Sequence, residues 1–250
     1  MNLKANYNKE LNKLHDDIAS QTLKNHLEAI EVIAAQLNSI YALLCTIEDP
    51  MHDVLPVKDK ERASKYMVIL YSISAFHFGS TIFKLSINGQ YPEAGALVRS
   101  LIESVSFAEY YYQNSNEAFK IVSDIEGLPN RKTVFKFLKE RGHYPQGGPR
   151  PSFEKYNPHA HGNIQAVTSH WTYSDDKTST SHIWLRRYNA ESFKMISKDI
   201  FIPLLGIQEL FRKSYIDEDK YTHEDTWRIN WEASHNKEKI NRVFPSIVIG

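Results

Sequence analysis

Residues 11–44 read LNKLHDDIASQTLKNHLEAIEVIAAQLNSIYALL, and this stretch decides the fold class. Leu11, Leu14, Ile18, Leu27, Ile30, Ala34, Leu37, Tyr41 and Leu44 recur at helical spacing, with no proline or glycine between them. Lys13, Asp17, Lys24, Glu28 and Glu31 fall mainly between those positions, so the spacing predicts one long amphipathic helix, broken near Ser20.

Working outward, a polar loop with Pro50 and Pro56 leads to a second helix expected over Lys58 to Ile87, where Asn88-Gly89 is a stop signal. Gly79 inside it marks a close helix approach. Pro92 suits a first helical turn and Glu93 complements its positive end, so a third helix is expected from Pro92 to Gln113. Shorter helices follow, from Glu117 to Glu126 and from Pro129 to Gly142. Between Gly142 and Gly162 prolines and glycines are too frequent for a regular element, so a long loop is expected. Beyond it the pattern predicts a helix over Ala160 to His170 and a small β-hairpin within Trp171 to Tyr188. A helix capped by Asn189 and kinked at Pro203 comes next, then a short helix holding Trp227 and Trp231 and an apolar tail after Pro245. The expected fold is all-α. It is a single helical domain over residues 1–250, with a long N-terminal helical segment (1–56), a bundle core (57–217) and a C-terminal helix and tail (218–250).

Composition bounds what this bundle does. The chain has 250 residues, 42% of them hydrophobic and 24% charged, which excludes disordered and low-complexity classes. Thirty basic residues balance thirty acidic ones, so any nucleic-acid or anionic-membrane contact must use a local patch. The single cysteine, Cys45, cannot form an internal disulfide or a thiolate zinc cluster. The apolar run from Met67 to Gly79 is interrupted by His77 and two serines and falls short of the ~20 residues of a spanning helix. These features predict a soluble cytoplasmic protein without a cofactor.

The third helix carries the chemistry. At about 100° per residue, Arg99, Glu103, Ser106 and Tyr110 form a polar stripe with spacings of four, three and four, flanked by small or apolar residues. Such flanks suit a partly buried face. One reading is a pocket in which the Arg99 guanidinium binds phosphate or carboxylate and Glu103 orients it. The other is a structural ion pair, although Arg before Glu is the weaker helical order.

The run from Asn88 to Glu103, with the later segment Tyr156-Asn-Pro-His-Ala-His161-Gly-Asn, resembles a family of bacterial all-helical proteins with an A-x-x-L-x-R-x-x-x-E helix motif. That layout is in turn similar to the HEPN superfamily of prokaryotic toxins and abortive-infection proteins, many of them metal-independent ribonucleases. The resemblance implies a defence-associated RNA-binding or RNA-cleaving protein, with Arg99, Glu103 and His161 as catalytic residues. Tyr110, Ser106, Lys155 and Arg150 would bind the substrate. The superfamily's arginine four to six residues before a histidine is not matched, since Arg141 and His143 are two apart. The alternative is a non-enzymatic interaction module.

Between Pro129 and Lys155 seven basic residues face only Glu140 and Glu154, interleaved with aromatics. Arg131, Lys132, Lys136, Lys139 and Arg141 are therefore the candidate RNA contacts, against the plainer reading of a solvated helix face. His159 and His161, two apart, could share a metal only in a loop, and Glu140 three residues before His143 has the spacing of a bundle metal site but in a single copy, beside the helix-ending Gly142, so no metal is expected. The apolar tail and the amphipathic first helix suggest a homo-oligomer.

Overall fold

A computed structural model describes residues 3–46, 59–124, 131–140, 171–173, 180–182, 188–216, 225–245 and 247, with backbone alone for 3–11, 46, 124, 131, 135, 138, 139 and both strands. Among these residues are eight helices: α1 (Leu3–Thr46), α2 (Lys60–Ile87), α3 (Tyr91–Gln113), α4 (Ser115–Asp124), α5 (Arg131–Glu140), α6 (Ala190–Tyr215), α7 (Thr226–Ser234) and α8 (Lys237–Val243). Two three-residue strands, β1 (Trp171–Tyr173) and β2 (Thr180–His182), pair antiparallel with Trp171 opposite His182. The architecture is an all-α bundle. The helix expected over Ala160 to His170 and the Gly/Pro-rich loop lie outside the described residues.

Local chemistry sets the boundaries. The Asp59 carboxylate accepts from Arg62 N at 2.8 Å and starts α2. At the other end Gly89 adopts φ 72°, a left-handed conformation open to glycine, while Gly89 N donates to Ser86 O and Gln90 N to Leu85 O. Those two bonds close α2 and aim the chain straight into α3. Asn189 Oδ1 accepts from Ser192 N at 2.9 Å and caps α6, whose first turn holds Glu191. Pro203 lies inside α6 without ending it.

The first helix breaks later than its sequence predicts. The backbone leaves helical geometry at His26 (φ −134°, ψ 27°), not near Ser20. The cause is tertiary: the His26 ring stacks on Phe193 of α6 at 4.8 Å, and the Tyr188 hydroxyl lies 2.9 Å from its Nε2.

Helices α1, α2, α3 and α6 share the main core, built from Ile33, Ile40, Val68, Ala75, Leu101, Phe201, Leu204 and Phe211, among others. Gly79 lets α1, α2 and α6 approach, since a Cβ there would sit 2.7 Å from Leu204 Cδ2 and 3.2 Å from Leu37 Cδ2. The C-terminal helices pack on α1. Ser39 Oγ donates to Trp227 O at 3.1 Å, Arg242 bonds Glu28 at 2.9 Å, and Lys239 pairs with Glu31. Phe244 and Ile247 of the apolar tail are buried, with Phe244 5.0 Å from Phe201 between ring centroids. This part of the tail docks on its own chain. A second cluster, Ala63, Met67, Tyr110, Tyr111, Ala118 and Val134, joins α4 and α5 to the α2–α3 pair.

Two helical segments, α2 and Asn12–Cys45 of α1, are long and apolar enough by length and composition to cross a membrane. For α2 this differs from the sequence expectation because the run without charged residues extends beyond Gly79 to Phe83. Core helices of soluble bundles share that composition.

Candidate functional site

The polar stripe of α3 is brought together by one helix and closed by its neighbours. Pro92 in the first turn and Glu93 beside it begin the helix. Two turns later Arg99 Nε lies 3.5 Å from Glu103 Oε1, with the two side chains 14% and 20% exposed. The two opposite charges thus lie within ion-pair reach of each other on a partly buried face.

The lower half of the stripe is packed away. Ser106 is fully buried. The Tyr110 ring meets Phe137 of α5 edge-on at 5.3 Å and Tyr111 at 5.4 Å, and burial, then the Glu117 carboxylate, push its hydroxyl above the ordinary phenol value. Behind it Tyr71, Phe107 and Tyr111 form a stack with centroids 5.5 to 6.4 Å apart. Desolvation raises the Tyr71 hydroxyl to about 12, so it stays protonated. Of the other predicted site residues, His161, Lys155 and Arg150 lie outside the described residues, as does Arg141. The side chains of Arg131 and Lys139 do so too. Lys132 and Lys136 are exposed on α5, and Lys136 faces Glu140 at 3.7 Å. Val134 and Phe137 turn inward from that helix, so Phe137 is committed to packing.

A denser polar cluster, which the sequence reading did not single out, joins α6 to α7. Trp231 Nε1 donates to Glu209 Oε1 at 3.1 Å, and Arg212 donates to Glu209 Oε2 at 3.2 Å. His235 Nε2 lies 3.5 Å from Glu209 Oε1, while its Nδ1 is 2.7 Å from Trp231 O. The Trp231 and His235 rings stack at 4.1 Å, and the Arg212 guanidinium sits over Trp231 at 5.6 Å. His235 first, and then Arg212, hold the Glu209 carboxyl down at about 2 against the opposing effect of burial. The spacings were present in the sequence: Glu209 and Arg212 are one turn apart, and so are Trp231 and His235.

Ser234, His235 and Glu209 contain the residue types of a nucleophilic triad, but the geometry is not one. Ser234 is fully buried and its Oγ is engaged by Gln208 and the Trp231 carbonyl as well as by His235 Nδ1. A nucleophile needs an open approach to substrate. The cluster is a clamp between two helices. Among the described residues no three His, Cys, Asp or Glu side chains converge as a metal site.

Comparison with protein-family models, curated proteins and solved structures finds no match to this chain.

Proposed function

We propose that the protein is a non-enzymatic helical interaction module in which the Arg99–Glu103 pair fixes the packing of α3. The observation that carries this reading is the neutralised, mostly buried pair continuing into Ser106 and Tyr110, both enclosed by the bundle. Ser106 and Tyr110, closed in this way, serve to orient helices, and Tyr110 is held in the second cluster. A soluble setting is part of this reading, in which α1 and α2 serve as core helices.

The test is expression of wild type and His161→Ala in a bacterium, comparing growth and RNA integrity. Equal growth and intact RNA in both are expected. RNA degraded by the wild type and spared by His161→Ala would establish the cleaving reading instead.

One observation favours RNA contact as a second reading: Lys132 and Lys136 sit one turn apart on the outer side of α5. Lys132→Glu with Lys136→Glu then weakens single-stranded RNA binding and flattens its salt dependence in a filter assay.

A further inference from the structure

The α1–α2 pair shows an outward face unlike the rest of the molecule. From Tyr66 to Phe83 the sequence of α2 contains no Asp, Glu, Lys or Arg, and from Val32 to Thr46 neither does that of α1. Within that length of α2, Leu70, His77 and Thr81 are exposed, while half-buried residues such as Ile73 and Phe76 also pack against the core. Tyr66, Leu70, Ile73 and His77 follow one another at spacings of four, three and four, which is the period of a helix-packing seam. Leu70 is 39% exposed and His77 is exposed. On α1, Asn38, Tyr41 and Cys45 are exposed at the same kind of spacing, Tyr41 to 57%. The two stripes form one surface because Tyr41 stacks on Phe76 across the helix pair at 5.8 Å.

We propose that this face binds a second copy of the chain, α1–α2 against α1–α2 about a two-fold axis. Charge is confined to its margins, where Glu61 pairs with Lys65 at 2.9 Å, Asp59 with Arg62 at 3.7 Å, and Glu31 with Lys239, and where Lys60 and Lys84 are also exposed. An uncharged centre with aromatic residues and a polar rim is the make-up of a protein–protein contact. The uncharged lengths rise roughly 22–27 Å, and two adjacent helices span roughly 20 Å, so about 500 Å² per copy is available. Two copies then bury about 1,000 Å², the lower bound for a specific interface, which predicts a concentration-dependent dimer.

A lipid surface fits less well. Asn38 and His77 lie in the middle of the face, where acyl chains would strip their water without replacing its hydrogen bonds. In a two-fold contact the same patch faces itself, so the second copy brings its own Asn38 and His77 to the interface. The inference does not depend on the role given to Arg99, and a monomeric protein would leave that reading intact.

Sedimentation velocity of the full chain between about 1 and 100 µM tests it. Wild type shifts from monomer to dimer; Leu70→Glu and, separately, His77→Glu raise the apparent dissociation constant at least ~10-fold with unchanged helical circular dichroism, while Asn116→Glu on α4 has no effect. Wild type that stays monomeric throughout, or a dimer that both face variants form equally well, overturns the proposal. So does a monomer that floats with phosphatidylcholine vesicles and loses that binding in Leu70→Glu.

Discussion

Glu209 and His26 make the fold sensitive to acid in two separate windows. The Glu209 carboxyl is held at about 2 against an ordinary 4.5, so its stabilising contribution is complete above 4.5 and is lost as pH falls toward 2. His26 is pushed below its ordinary 6.5, chiefly by burial and then by Lys194, with Glu191 opposing. Its neutral form suits the fold, so stability is full above 6.5 and falls as pH drops from there through the lowered folded value. Urea unfolding from pH 8 to 3 should show both limbs. His26→Gln removes the upper one, and Glu209→Gln removes the lower one and costs of order 1 kcal/mol at pH 7. Two glycines give a steric contrast at the same scale. Gly206→Ala meets Val105 Cγ1 at an ordinary 3.6 Å and gains ~0.5–1 kcal/mol from helix propensity. Gly79→Ala forces a methyl against the fully buried Leu204, and an overpacking cost of ~1–3 kcal/mol outweighs the same gain. Thermal melts of the two variants should therefore shift in opposite directions.

At the scale of elements, the caps carry testable weight. Asn189→Ala removes the bond from Ser192 N and lowers stability by about 1 kcal/mol, measured by urea unfolding. That cap was legible in the sequence, as was the Asn88-Gly89 stop, because both act on backbone groups within a few residues. The break in α1 was not, since it depends on Phe193 and Tyr188, more than 160 residues away in the chain. The same division runs through the candidate site. Spacing alone put Arg99, Glu103, Ser106 and Tyr110 on one face, but no local pattern reveals that Phe137 of α5 covers Tyr110. The Glu209 clamp was missed because its two halves come from different helices, and Trp231 on its own does not point to Glu209.

In the whole molecule, α7 and α8 complete the surroundings of α1. Trp227 is buried, Ser39 reaches its carbonyl, and the pairs Glu28–Arg242 and Glu31–Lys239 fasten the outer side. Deleting residues 225–250 uncovers the buried side of α1, and a drop in Tm of about 10 °C or more with increased binding of a hydrophobic dye is expected. The contact between Ser39 and Trp227 spans 188 residues. During synthesis the first helix must therefore wait for the seventh, and at about 5–20 residues per second the delay is roughly 10–40 s. For that interval the uncharged half of α1 lacks the cover that α7 gives it, which makes this helix the segment of the nascent chain most in need of a chaperone's protection.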